Sequence, residues 1–383
     1  MKHIAILVET ALASGRSLLA GISQFARERD SWQVFHPTGY LGATELAGLE
    51  SWRGDGIIAR ISEPQVLEIL LKQGIPVVDV LGNVADSPCP LVKSDDCLIG
   101  QWVAQRFLES RHRQFAFVGL QGERWSAERE AGFKAALAGC GPVAVCRLGP
   151  QVPGSSTLGE RLKELLDWMQ QLPRPCGLMI ASDQLGPTVM ATTRHLGRAI
   201  PDDISMIGVD NDLPFCELCR PALSSVEPDH YRAGYEAARL LGELIDGAEP
   251  QTMRLEVSPI RLHERGSSDS NAVEDPALVR ALKLIRMRAC TGVTVEAVAR
   301  ESGLSRSVLQ RRFRQELGQT VLEVINGVKI RRAEDLLGFT RLPLAEVAER
   351  SGYSSQEYFT AAFRRYVNTS PLAYRRAKQA SKA

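Results

Sequence analysis

The sequence predicts two folds in series: a two-lobed α/β body over residues 1–265 and an all-α block over residues 276–383. Three observations predict it. Short apolar runs alternate with amphipathic stretches before residue 266 and nowhere after it. A motif beginning at Val295 recurs 49 residues later, at Leu344. Charge is also split along the chain. Residues 271–383 carry 20 Lys+Arg and 11 Asp+Glu, whereas residues 1–270 carry 26 and 34. A basic block behind an acidic body points to a polyanionic partner for the C-terminal part alone.

The α/β reading rests on strand candidates at Ile4–Val8, Gly56–Ile61, Val77–Leu81, Phe115–Val118, Leu178–Ala181 and Ile204–Val209. Helical stretches fall between them at Ser17–Arg29, Gln65–Lys72, Ile99–Glu109, Ala127–Ala138, Leu158–Gln171, Gly186–Leu196 and Arg232–Leu244. Such alternation builds parallel sheets from βαβ units. The strands are apolar on both sides, as helix-covered strands are. About 265 residues exceed one such sheet, so two lobes with a cleft between them are expected. Gly266–Asp275 is small and polar without apolar periodicity, and reads as a linker.

No apolar run approaches the ~18 residues a membrane span needs. The opening Met1-Lys2-His3 runs straight into Ile4–Val8, too short for a signal-peptide core, so a cytoplasmic location is expected. The eight cysteines are scattered, and Cys216 and Cys219 form the one C-x-x-C. No second pair or His cluster completes a four-ligand set, so two free thiols in a loop, no metal and no cofactor are expected.

The repeat carries the sharper signal. Val295-Glu-Ala-Val-Ala-Arg-Glu-Ser-Gly303-Leu-Ser305 aligns with Leu344-Ala-Glu-Val-Ala-Glu-Arg-Ser-Gly352-Tyr-Ser354. Each copy has an Ala four residues before a Gly, then a second helix with its own apolar face. Gly permits the positive φ of a tight turn between two steeply crossing helices, and the Ala lets them approach. Ser305 and Ser354 are candidate caps of the second helices. This is helix-turn-helix chemistry, with units at about 295–317 and 344–366. Base-reading candidates are Arg306, Ser307, Gln310 and Arg311 in the first unit and Ser355, Gln356 and Glu357 in the second. Arg suits guanine and Gln suits adenine. Arg312, Arg314, Arg364 and Arg365 suit phosphates. The stretch Thr320–Leu337 is a helix that would hold the units at a fixed spacing, and recognition helices set about one DNA turn, ~34 Å, apart can enter successive major-groove segments.

Residues 276–378 resemble the AraC/XylS family of bacterial transcription regulators. Gly352-Tyr-Ser-Ser-Gln-Glu-Tyr-Phe-Thr-Ala-Ala-Phe363, then Asn368-Thr-Ser-Pro371-Leu-Ala-Tyr374-Arg375, is similar to the family signature, and Leu309-Gln-Arg-Arg-Phe313 matches its first unit. The resemblance implies double-stranded operator DNA as partner, with base contacts from Ser307, Gln310, Arg311, Gln356 and their neighbours. One departure is Ala361, where many members carry a basic residue. The second unit is therefore expected to contribute less, or to read through Gln356 and the backbone.

Residues 1–265 resemble the sugar-binding core of LacI/GalR repressors and periplasmic sugar-binding proteins. The phrases Gly54-Asp-Gly-Ile-Ile-Ala59, Ile75-Pro-Val-Val78, Ala181-Ser-Asp183, Ile200-Pro-Asp-Asp-Ile-Ser-Met-Ile-Gly-Val-Asp210 and Pro221-Ala-Leu-Ser-Ser-Val226 occur in that family's order. The pairing of this sensor with a C-terminal reader resembles the xylose-operon regulators, as does Gly122-Glu-Arg-Trp125-Ser-Ala-Glu128-Arg129-Glu-Ala-Gly-Phe133. That resemblance implies a periplasmic-binding-protein-like cleft for a small sugar, a pentose such as xylose first. It also implies a transcription activator. A homodimer is expected because paired acidic bodies would place two readers on repeated half-sites, with RNA polymerase as a further partner.

A sugar site combines carboxylates, cationic or amide donors and an aromatic face, gathered at strand C-termini. Arg129, Asp183 and Asp210 are the first candidates, followed by Arg16, Asn211 and Trp125. Two other readings compete. A sugar-processing enzyme tethered to DNA is opposed by the lack of a Walker A loop, a G-x-G-x-x-G, a G-x-S-x-G or an H-E-x-x-H. A ligand-independent architectural DNA binder would leave regulation indifferent to Asp183→Ala.

Overall fold

Two sheets with one strand order build the front of the chain. The computed structural model describes residues 1–383 except 30, 38–40, 43–45, 47–48, 50–51, 150–156, 250–251, 270–272, 274 and 381–383. In the first lobe β1 (Lys2–Leu7), β2 (Trp32–Phe35), β3 (Gly56–Ala59), β4 (Val77–Asp79), β5 (Leu91–Ser94) and β11 (Arg254–Val257) pair in parallel, ordered β2-β1-β3-β4-β5-β11. In the second, β6 (Phe115–Leu120), β7 (Val143–Leu148), β8 (Cys176–Ile180), β9 (Ile204–Val209), β10 (Ser224–Glu227) and β12 (Arg261–His263) follow the order β7-β6-β8-β9-β10-β12. Among the described strands only the β10–β12 pair is antiparallel. The chain crosses between lobes after β5, β10 and β11.

Helices sandwich each sheet, which is why β3 and β8 are apolar throughout and β1 and β9 nearly so. Ile4–Leu7 lie opposite Gly56–Ala59 and all are buried. α1 (Ala13–Arg29) and α8 (His230–Ile245) cover one face of the first sheet, where Leu18, Ile22, Phe25, Ala237 and Leu241 meet Ile4 and Ile6. α2 (Pro64–Leu71) lies on the other, with Val66 and Leu70 against Ala5 and Leu7. In the second lobe α3 (Asp96–Glu109) and α4 (Arg124–Ala136) pack Ile99, Phe107 and Phe133 onto Phe115 and Phe117. α5 (Leu158–Gln170) and α6 (Gly186–His195) fill the opposite face, and α7 (Leu213–Leu218) follows β9. Gly132 is required where α3 meets α4, since a Cβ there would stand 1.9 Å from the Cys97 carbonyl oxygen.

His112 is buried in the second lobe against the Phe107 ring, 5.3 Å between centroids. Burial pushes its imidazole down to about 4. The unfolded chain therefore takes up a proton near pH 6.5 that the folded chain refuses until about pH 4. The stability this group contributes is complete above pH 6.5 and is lost as pH falls toward 4, about 3 kcal/mol in all. Urea melts between pH 7 and 4.5 check this, and His112→Phe flattens the slope.

Behind the sensor come α9 (Pro276–Arg288), α10 (Val295–Ser302), α11 (Arg306–Leu317), α12 (Val321–Phe339), α13 (Leu344–Arg350), α14 (Gln356–Val367) and α15 (Pro371–Ala380). They enclose two cores. Leu278, Leu282, Ile285, Val298, Leu309, Phe313, Val321 and Ile325 form the first. Ile330, Ala333, Leu337, Val347, Phe359 and Phe363 form the second. α12 feeds both, its first half the one and its second half the other, and so acts as a shared spine.

The linker is shorter than its composition predicts. Ser267 and Ser268 are buried; Ser267 donates to the Met206 carbonyl and Ser268 to the Ser224 hydroxyl, 2.6 and 2.8 Å. Residues 266–268 thus belong to the second lobe, because hydroxyls that satisfy one another can be buried despite being polar. Residues 270–272 and 274 of the expected linker lie outside the described residues. The reader leans on this lobe: Arg286 pairs with Asp202, Arg331 with Asp269, and Arg111 donates to the Glu316 carbonyl, 3.2 Å. Cys216 and Cys219 are both buried. Cys216 lies in α7 rather than a loop, and burial raises both thiols.

Candidate functional site

Both sheets point their carboxyl ends at one cavity. Each strand order reverses once, between β1 and β3 and between β6 and β8, and ligands of open α/β sheets bind at such reversals. The cavity measures about 340 Å³. Glu9 and Leu12 enter it after β1, Arg60 and Ser62 after β3, and Leu81 after β4. From the second lobe come Glu123 after β6, Ser182 and Gln184 after β8, and Asp210 after β9.

Arg129 stands at the centre. It is 4% exposed, and its Nε donates to Asp96 Oδ1 at 2.8 Å while Nη1 donates to the Ala181 carbonyl at 2.5 Å. Its Nη2 lies 3.5 Å from Asp210 Oδ1, and the guanidinium stacks on Trp125, 4.8 Å from the ring centroid. Burial works against its charge, but Asp96 and Asp210 outweigh burial and leave its pKa raised. Burial likewise pushes the Asp210 carboxyl up; Arg129, His230 and the Ser182 hydroxyl (2.8 Å) more than reverse this and hold it below the usual carboxylate range. Asp210 takes φ 106, a left-handed backbone that turns its side chain over the strand end. Trp125 Nε1 donates to Glu123, 2.8 Å, and burial raises that carboxyl.

The structure gathers Trp125, Arg129 and Asp210 in the cavity wall but not the other three candidates. Asp183 lies behind the wall, fully buried. It accepts from Ser225 Oγ, the Asp212 amide and Cys216 Sγ, and burial with the nearby Asp210 pushes it up to about 8. Its neighbours Ser182 and Gln184 take the cavity side instead. Asn211 accepts from Arg265 Nη2 at 2.6 Å, away from the cavity. Arg16 is exposed and folds back onto the Thr10 and Ala11 carbonyls, 2.9 and 2.7 Å. Arg60 fills the place expected of Arg16: Nη2 donates to Ser14 Oγ at 3.0 Å, and its buried Nε has no hydrogen-bond partner among the described residues.

The second candidate surface is on the reader. Gly303 and Gly352 take φ 78 and 80, and the amides of Leu304 and Tyr353 bond back to the Ala299 and Ala348 carbonyls. These are matching left-handed turns that end the first helix of each unit. Ser305 caps α11, but Ser355, not Ser354, caps α14 through the Tyr358 amide at 3.2 Å. Helix α14 starts one residue later than its counterpart because Ser354 continues the turn. Ser305, Arg306, Ser307, Gln310, Arg311 and Arg314 are exposed on the first unit; Ser355, Gln356, Glu357, Arg364 and Arg365 are exposed on the second. Arg306 pairs with Glu296, 2.7 Å. Arg312 turns inward to Asp275, the cap of α9, so it braces the domain instead of facing a phosphate.

Comparison with known proteins decides the family. Residues 3–90 match the description "XylR N-terminal domain", residues 104–268 a periplasmic binding protein-like domain and residues 298–377 a helix-turn-helix domain. The xylose operon regulatory protein of Escherichia coli (strain K12) is 31% identical over 97% of this chain and 96% of its own length. That of Haemophilus influenzae is 30% identical over 97% of each. The chain belongs to the family of the xylose operon regulatory proteins. A solved xylose-binding transcription activator of this family superposes with TM-score 0.79 at 30% identity, covering 98% of both chains. A CelR–cellobiose complex covers 70% of this chain and 84% of its own at TM-score 0.58 and 25% identity.

The chain is thus a sugar-responsive transcription regulator with an AraC-type reader behind a periplasmic-binding-protein-like sensor. No helix among the described residues is long and apolar enough to cross a membrane. Within this family's cleft, sequence reasoning missed Glu9, Arg60, Lys93, Asp96, Glu123 and His230. Lys93 is buried, donates to Asp96 at 2.9 Å and pairs with Glu128. A charged residue in a strand and a His at a helix start carry no local signal. These six side chains become a set only when the lobes meet.

Proposed function

We propose that this cleft binds a pentose, xylose first, and that occupancy changes how paired readers meet operator DNA. The observation that carries it is the Arg129–Asp210 pair on a cavity with further charged groups from both lobes. Asp210, Asp96 and Glu9 accept sugar hydroxyl protons, Arg129 and Arg60 donate to sugar oxygens, and Trp125, Leu12 and Val80 offer apolar surface. The relatives' names, xylose operon regulatory protein and xylose-binding transcription activator, support the pentose and an activating role. The reader leans on the second lobe, so closure swings the first lobe relative to the DNA-binding block.

In this reading the protein works in the cytoplasm beside its operator, as a homodimer that spans repeated half-sites and engages RNA polymerase. Gln310 and Arg311 lead base reading, with Ser307 and Gln356 beside them, and Arg314, Arg364 and Arg365 hold phosphates. The sugar is bound and not turned over. A thermal-shift screen over aldopentoses and hexoses tests this. At one hundred times its Kd, xylose raises Tm by about 5–10 °C. Asp210→Ala removes the shift. Equal response to every sugar, or none, sinks the reading.

A further inference from the structure

In each lobe the first strand runs into a helix, β1 into α1 in the first and β6 into α4 in the second. The first amide of each helix is bonded by a side chain from the opposite lobe. Asp212, after β9 of the second lobe, accepts the Ala13 N–H of α1 through Oδ2 at 2.8 Å. Asn83, after β4 of the first lobe, accepts the Arg124 N–H of α4 through Oδ1 at 2.6 Å. The residue preceding α4, Glu123, makes no capping bond of its own. We infer that each lobe caps the helix that follows the other lobe's first strand, and that Asp212 and Asn83 thereby set how tightly the closed cleft holds its sugar.

Neither residue lines the cavity. Both are positioning residues that act through closure. Each is aimed by its own lobe: the Asp212 amide donates to Asp183 Oδ2 at 2.9 Å, and Asn83 Nδ2 donates to the Ser62 carbonyl at 2.9 Å. Asp212 is buried, 3% exposed. Opening the lobes returns both helix ends to water and takes the Asp212 charge away from the positive end of α1. A bond made only in the closed state shifts the lobe equilibrium toward it, and an effector that prefers that state then binds more tightly. Asn83 Nδ2 adds a second link to the Gly122 carbonyl, 3.4 Å. Among the charged cross-lobe pairs, Lys93 and Arg254 both reach Glu128, and His230–Asp210 lies on the cavity itself.

The inference rests on the sugar-cleft reading, so its test has one arm that needs sugar and one that does not. In the full-length chain, Asp212→Ala and Asn83→Ala each raise the xylose Kd about three- to tenfold, chiefly through faster release. Asp212→Asn restores affinity, because Asn caps as well as Asp. Apo melting temperature falls by no more than about 2–4 °C. Hydrogen exchange supplies the second arm: the peptide holding Ala13 exchanges faster in Asp212→Ala, and that holding Arg124 in Asn83→Ala, with the uncut lobe unchanged. If wild-type chain takes no sugar, the cleft reading fails while exchange still decides the caps. Unaltered exchange in both Ala variants overturns the inference, as does a wild-type xylose Kd in both.

Discussion

Arg129→Met is expected to abolish the sugar response and to lower the melting temperature of the sensor by about 10 °C. The two effects have different origins. Arg129 touches Asp96, Asp210 and the Ala181 carbonyl from a position that is 4% exposed. Breaking a buried ion pair from one side costs about 3–5 kcal/mol, because the remaining charge stays buried alone. Asp96 retains Lys93, but Asp210 keeps only His230 and the Ser182 hydroxyl. Its carboxyl then rises from below the usual range, and affinity for a ligand that needs the carboxylate falls with it. Adding Asp210→Asn to Arg129→Met removes the orphaned charge. Stability recovers by about half in the double variant while sugar binding stays absent. Calorimetric titration with paired thermal melts reads both quantities. A double variant no more stable than Arg129→Met would show that Arg129 holds the lobe by packing and not by charge.

The lobes were legible where burial is symmetric. β1, β3, β8 and β9 are buried on both faces, so their sequences are continuous apolar runs. β2, β11 and β12 lie at sheet edges and leave polar residues in water; β11 and β12 alternate polar and apolar over only four and three residues, too short a run to stand out as strands. β5 is central enough to be buried, yet it carries Lys93 and Ser94, which read as loop until Asp96 and His230 arrive to partner them. The cleft shows the same limit. Arg129 and Asp210 were found because a family pattern flags them. Arg60 was missed and Arg16 preferred, although both follow the C-terminal ends of first-lobe strands. The difference is one of place: Arg60 directly follows β3 and turns in to Ser14, whereas Arg16 lies in the first turn of α1 and turns back to two carbonyls. Asp183 and its neighbours Ser182 and Gln184 differ only in which way one strand end faces. The repeat in the reader was legible in full because both units use the same glycine turn, and only the cap moved by one residue.

Arg311→Ala is expected to weaken operator binding by about 5- to 150-fold and to relax preference at a single base pair. Three features of the reader single it out. α11 exposes Ser307, Gln310 and Arg311 together near its start, and the structure gives neither Gln310 nor Arg311 a hydrogen bond or ion pair to a described residue. Its neighbours are committed elsewhere, Arg306 to Glu296 and Arg312 to Asp275. The matching stretch of α14 offers Gln356, Glu357 and Ala361 and no cation before Arg364. A carboxylate beside the bases repels phosphate, so the second unit adds less discrimination and leaves anchoring to Arg364 and Arg365. Gln356→Ala should accordingly cost less than Arg311→Ala on the same duplex. Arg364→Ala should weaken every sequence alike and lower the slope of log Kd against log salt by about one. Fluorescence anisotropy on operator and scrambled duplexes over a salt series separates these cases. Equal losses on both duplexes for Arg311→Ala would make it a phosphate ligand and move base reading to the second unit.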